Sequence, residues 1–133
     1  MSILAFLMLA APAATAQSID GRWINPDKSV IIQIAPCANA RCGVVEWAND
    51  QAKADARKAA PNLVGTTLLS NLVPSSASQW KGRIFVPDRN IRASAKITVV
   101  GPEQIRVAGC ALGGLLCDSQ MWVRSSAPPP AAN

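Results

Sequence analysis

Strict two-residue alternation of apolar and polar side chains constrains this chain more than any other feature. In RASAKITVV, Ala93, Ala95, Ile97 and Val99 alternate with Arg92, Ser94, Lys96 and Thr98. Successive side chains of a β-strand point to opposite faces, so such a segment has one dry face and one wet face. The pattern recurs in QWKGRIFVP, where Trp80, Gly82, Ile84 and Val86 alternate with Lys81 and Arg83. QIRVAG places Ile105, Val107 and Gly109 inward, and SVIIQIAP sets Val30, Ile32 and Ile34 against Gln33.

Turn residues separate these segments at even intervals: NPDK at 25–28, CANARC at 37–42, PDRN at 87–90 and GPE at 101–103. Proline opens a turn at fixed φ, and Asn90 tolerates the left-handed region. Strands are expected near residues 21–25, 29–36, 42–47, 63–70, 79–86, 91–100, 103–110 and 117–124. Tight connections between successive strands make an antiparallel meander. The expected fold is therefore all-β, an up-and-down barrel of about eight strands whose closure removes exposed edges. One segment departs, ANDQAKADARKAAP at 48–61, where alanine and lysine replace β-branched residues. It reads as a short helical insert capped by Asn49 or Asp50 and stopped by Pro61.

The N-terminus reads as a signal peptide over residues 1–16, with an apolar run from Ile3 to Ala11 and an A-x-A site at Ala14-Thr15-Ala16. The run is shorter than the roughly 20 apolar residues a membrane-spanning helix needs. No Lys or Arg precedes it, and a buried N-terminal helix is the alternative reading. Cleavage near Ala16 places a soluble chain in the periplasm or outside the cell. Residues 17–124 then form a single barrel domain, and residues 125–133, SSAPPPAAN, read as a disordered tail.

In an exported chain, four cysteines in two close pairs are disulfide candidates. Residues flanking a hairpin loop face each other at about 4.5 to 5.5 Å between Cα atoms, a span a disulfide accepts. This pairs Cys37 with Cys42 and Cys110 with Cys117, with Gly113 and Gly114 as loop glycines between the latter. A zinc site would need tighter knuckle spacing, and a thioredoxin-like site a C-x-x-C motif.

The chain has no histidine, which removes imidazole bases and the usual triads. Its acids, Asp20, Asp27, Glu46, Asp50, Asp55, Asp88, Glu103 and Asp118, mostly fall in turns or the helical insert, where capping and solvation account for them. Glu46 lies within a strand and is expected to face outward. No enzyme, metal or cofactor is expected. The net charge of +5 is spread singly along wet faces, which reads as a solvated basic surface rather than a nucleic-acid site. Weak contact with anionic envelope components is compatible with it.

The ordered motifs resemble an exported bacterial family, domain of unknown function 2147. These are Gly21-x-Trp23, Cys37, Cys42-Gly43, Gly65 with Leu68 and Leu69, Trp80-Lys81-Gly82-Arg83-Ile84-Phe85-Val86-Pro87, Val107 with Gly109-Cys110, and Cys117 with Ser119-Gln120-Met121-Trp122-Val123-Arg124. The resemblance covers about Gly21 to Arg124 and implies a lipocalin-like barrel with no established activity. It also implies that Arg124 packs over Trp23 to close the barrel base. Two departures stand out. The family often has tyrosine at Phe85 and near Ala93, whereas this chain has none, and its turn glycine is Asn90 here.

An eight-stranded barrel is either filled by its own side chains or holds one small ligand. Small inward residues at Gly82, Ala93, Ala95 and Gly109 are expected to leave an apolar pocket. Ile32, Trp80, Ile84, Ala93, Ala95 and Val107 are its candidate ligand-binding residues. The rival expectation is a solid barrel acting through its basic outer face.

Overall fold

A computed structural model describes residues 16–111 and 116–125. Most of the signal-peptide reading, most of the tail reading, and Gly113 and Gly114 lie outside the described residues. Eight antiparallel strands form a closed barrel in sequence order: β1 (Gly21–Ile24), β2 (Val30–Cys37), β3 (Ala40–Ala48), β4 (Thr67–Ser76), β5 (Gln79–Val86), β6 (Ile91–Gly101), β7 (Gln104–Ala111) and β8 (Leu116–Arg124). A short helix, α1 (Asp50–Ala56), lies between β3 and β4. Closure is made where β1 meets β8, with Trp23 opposite Arg124 and Ile24 opposite Val123.

The alternation predicts most of the inner face. Ile32, Ile34, Val45, Leu69, Ile97 and Ile105 are fully buried in one core with Trp23 and Leu72. The helical insert forms as its composition suggests, and the Asn49 side chain caps it by accepting from Ala52 N at 2.9 Å. It ends at Ala56, earlier than Pro61, and one further turn follows in which Ala59 N and Ala60 N both donate to the Ala56 carbonyl.

Strand β4 differs from expectation. It was expected at 63–70 but runs Thr67–Ser76, while Leu63 is buried beside α1 instead. Gly65, with φ of 94°, turns the chain into the strand, a backbone that residues with a Cβ rarely adopt. The β4–β5 register is irregular between Ser70 and Val73, where Asn71 has φ of 53°. Gly82 of β5 explains how this irregularity is accommodated. A Cβ there would collide with the Ser70 carbonyl and lie 2.8 Å from the Asn71 oxygen, so β4 backbone occupies the space that this glycine frees. Gly82 therefore permits close strand approach and opens no pocket.

A meander places alternate connections at opposite ends. The β2–β3, β4–β5 and β6–β7 turns share one end with residues 16–20, and this end is closed. Ile19 is fully buried, Trp23 Nε1 donates to its carbonyl at 2.9 Å, and Trp80 Nε1 donates to the Gln17 carbonyl at 2.9 Å. Each indole thereby satisfies its N–H while its ring fills the base.

Candidate functional site

The opposite end gathers the β1–β2, β3–β4, β5–β6 and β7–β8 connections around a cavity of ≈ 540 Å³. That lies within the range of about 300–1,000 Å³ typical of small-molecule sites. Its apolar walls include Leu63, Leu68, Ile84, Ala93, Val107 and Trp122, and Ala52 and Ala56 of α1 stand at its edge. Ala93 and Gly109 hold the space open. A Cβ at Gly109 would come within 3.1 Å of the Ile84 Cγ2 and force that side chain to move. A second hollow of ≈ 340 Å³, lined by Thr67, Ser70, Arg83 and Arg92, shares Leu68, Ile84 and Phe85 with the first.

Of the six candidate ligand residues, Ile84, Ala93 and Val107 line the cavity. Ile32, Trp80 and Ala95 do not. They are at most 6% exposed and pack in the filled part of the barrel, because the N-terminal residues and the large side chains of the base occupy the volume beside them. Trp80 is further held by its bond to Gln17 and lies 5.7 Å beneath the Arg41 guanidinium.

Sequence reasoning passed over the β8 side of the lining. Asp118, Gln120 and Trp122 stand opposite Gly109, Val107 and Ile105, which places all three on the inner face of β8. The alternation in DSQMW carried that signal. Trp122 lies deepest along the strand, is 8% exposed, and its Nε1 has no hydrogen-bond partner among the described residues. Asn25 is the buried polar residue at the mouth. Its Oδ1 accepts from Ser29 N and Val30 N at 2.8 and 3.0 Å, and its Nδ2 donates to Ser29 Oγ at 2.8 Å, which fixes the β1–β2 turn.

Structural roles fall elsewhere. Disulfides join Cys37 to Cys42 across the closed end and Cys110 to Cys117 beside the mouth, with Cα separations of 5.8 and 4.1 Å. Arg124 sits 4.3 Å over the Trp23 ring. Glu46 faces outward and binds Arg22 Nε through both oxygens at 3.0 and 2.7 Å, so it takes no part in the cavity. Phe85 breaks the alternation by being buried under Arg92, whose guanidinium stacks 4.2 Å from the ring. The described residues contain no group of three or more Cys, Asp or Glu placed to hold a metal ion.

A closed antiparallel meander with one plugged end and one hollow end defines a lipocalin-like barrel. The same architecture is found in the solved Helicobacter pylori protein HP1028, described as belonging to the lipocalin family, which superposes with a TM-score of 0.66 at 16% identity over 84% of this chain and 85% of that one. Residues 21–124 match the family described as uncharacterized protein conserved in bacteria (DUF2147), and the chain belongs to that family. No curated protein matches it.

Proposed function

We propose that this protein is an exported binding module, not an enzyme, that carries one small apolar or amphipathic molecule in the cavity at the α1 end of its barrel. The observation that carries this reading is a hollow of ≈ 540 Å³ walled by aliphatic side chains in an otherwise packed barrel. Water gains little in such a space, whereas an aliphatic chain recovers about 25 cal/mol for each Å² it hides. The two disulfides support action in an oxidising compartment. Uptake of a fluorescent fatty acid or alkyl dye tests the reading. Saturable one-to-one binding that is lost in Ala93→Phe supports it, and absence of uptake by the parent protein rejects it.

A second reading rests on the outer face of β5–β7. Lys81, Arg83, Arg92, Lys96 and Arg106 are all exposed there, and Lys81 stands directly opposite Lys96. Like charges so placed oppose folding, which makes them a feature to be explained. Such a surface favours adhesion to anionic envelope components. It does not suit insertion in a bilayer, where a barrel presents an apolar band to lipid. No helix among the described residues is long and apolar enough to cross a membrane.

A further inference from the structure

The wall of the barrel parts between β4 and β5 on the cavity side. The first residues of β4 stay with β3, since Thr67 stands opposite Val44 and the Thr66 carbonyl accepts from Val45 N at 2.9 Å. Their other side makes no rung with β5. The β4–β5 ladder ends at Leu69 opposite Ile84, and the pairs that this register would form next, Leu68 with Phe85 and Thr67 with Val86, are absent. The hollow of ≈ 340 Å³ lies at this gap and shares Leu68, Ile84 and Phe85 with the cavity, so the two spaces adjoin through the wall.

Arg83 and Arg92 are the charged residues of that hollow, and both are cationic. Neither joins an ion pair of the described residues, which are Arg22–Glu46 and Arg41–Asp20, and neither donates a hydrogen bond to another described residue. An exposed arginine alone is an ordinary solvated side chain. These two are placed together. Arg83 faces Ser94 across β5–β6 and Arg92 lies two residues along the same face, so their Cβ atoms are diagonal neighbours about 7–8 Å apart, within reach of a shared oxyanion. Arg92 is also stacked on Phe85, 4.2 Å from its ring, where that residue borders both spaces. On the far bank of the hollow, Ser70 stands opposite Arg83 and Thr67 begins β4, which adds two hydroxyl donors. Lys81 and Lys96 of the same basic face line neither space.

We propose that the ligand is an anion-headed amphiphile lying across this gap: its oxyanion, a carboxylate or a phosphate ester, is held outside by Arg83 and Arg92 with the Ser70 and Thr67 hydroxyls, and its aliphatic tail passes between Leu68 and Phe85 into the cavity. This rests on the binding-module reading and adds to it the charge of the head group and the place where it sits. Guanidinium groups suit an oxyanion because each presents parallel N–H donors in a planar fork, and such charge-assisted bonds are about twice as strong as neutral ones.

Calorimetry on the full chain with monomeric probes of equal tail length tests the head, and needs no variant. Dodecanoate and dodecyl phosphate should bind about tenfold more tightly than dodecyl maltoside at low ionic strength, and dodecyltrimethylammonium more weakly than any of them. High salt should narrow the gap. Equal binding of the four probes, or a preference for the cation, overturns the anionic assignment while the binding-module reading stands. Arg83→Gln with Arg92→Gln, its fold checked by circular dichroism, should bring dodecanoate level with the maltoside. Lys81→Gln with Lys96→Gln removes the same charge from the same face and should keep most of the preference. Equal losses in the two double variants trace the preference to net charge and overturn the site. Ala93→Phe tests the link to the cavity and should abolish dodecanoate binding. Dodecanoate binding retained in that variant, or inorganic phosphate bound by the parent as tightly as dodecyl phosphate, overturns the arrangement across the gap. Failure of every amphiphile to bind overturns the binding-module reading itself.

Discussion

Arg124 closes the barrel over Trp23 with three interactions at once. Its guanidinium lies 4.3 Å from the indole ring, its Nη1 donates to the Asp20 carbonyl at 3.0 Å, and its Nε donates to the Pro102 carbonyl at 3.1 Å. The last strand is thus tied to the first strand, to the segment before it and to the β6–β7 turn. Gly21 leaves the room for this, since a Cβ there would lie 2.6 Å from Arg124 Nη1.

Arg124→Met should therefore lower stability by about 2 kcal/mol, read as a shift in the urea midpoint with unchanged slope. Arg124→Lys should recover little of it, because an ammonium cannot stack flat on the ring and reach two carbonyls together. A lysine variant as stable as the parent would show that charge alone closes the base.

Cavity and core respond differently to added volume. Ala93 lines the hollow, so Ala93→Phe should abolish probe uptake at a stability change within about 1 kcal/mol. Ala95 is 4% exposed in the packed barrel, and Ala95→Trp should cost at least about 1 to 3 kcal/mol by overpacking. Loss of uptake in Ala93→Phe accompanied by global unfolding would remove the distinction.

The barrel was legible because β6 alternates cleanly and β5 does so up to Phe85, and the disulfides because each cysteine pair brackets one hairpin, Cys110 directly opposite Cys117 and Cys37 two residues off the register of Cys42. Strand β4 was not, since every residue from Val73 to Ser76 is exposed and the strand carries no dry face there to read. The candidate site was half legible for a related reason. Alternation told that Ile32, Trp80 and Ala95 face inward, but not which end of the interior the N-terminal residues fill. Conversely, Asp27, Asp55, Asp88 and Asp118 each look like an ordinary turn or helix-surface acid in isolation. Only the closed meander brings them to the lining of one cavity.

The two disulfides should be separable by function. Each closes a short loop, and removing either as a double Cys→Ser variant should cost about 2 kcal/mol. Cys110–Cys117 borders the cavity, with Cys117 in its lining, whereas Cys37–Cys42 ties the closed end. Loss of the first should weaken probe binding beyond its effect on stability, and loss of the second should not. Equal binding losses in the two variants, measured well below their unfolding temperatures, would detach the mouth disulfide from the site.

The basic outer face yields a prediction independent of the cavity. Lys81 and Lys96 are cross-strand partners with exposed side chains, so Lys96→Glu replaces a repulsion with an attraction. It should raise stability by about 0.2 to 1 kcal/mol, an effect that salt diminishes. The same substitution takes two units of positive charge from the surface formed with Arg83, Arg92 and Arg106. Sedimentation with vesicles of anionic lipid should then show weaker adhesion than the parent, while uptake of a neutral alkyl probe stays the same. A variant that is more stable and adheres as well as the parent would mean that the basic face has no role in envelope contact, and the cavity would remain as the functional surface.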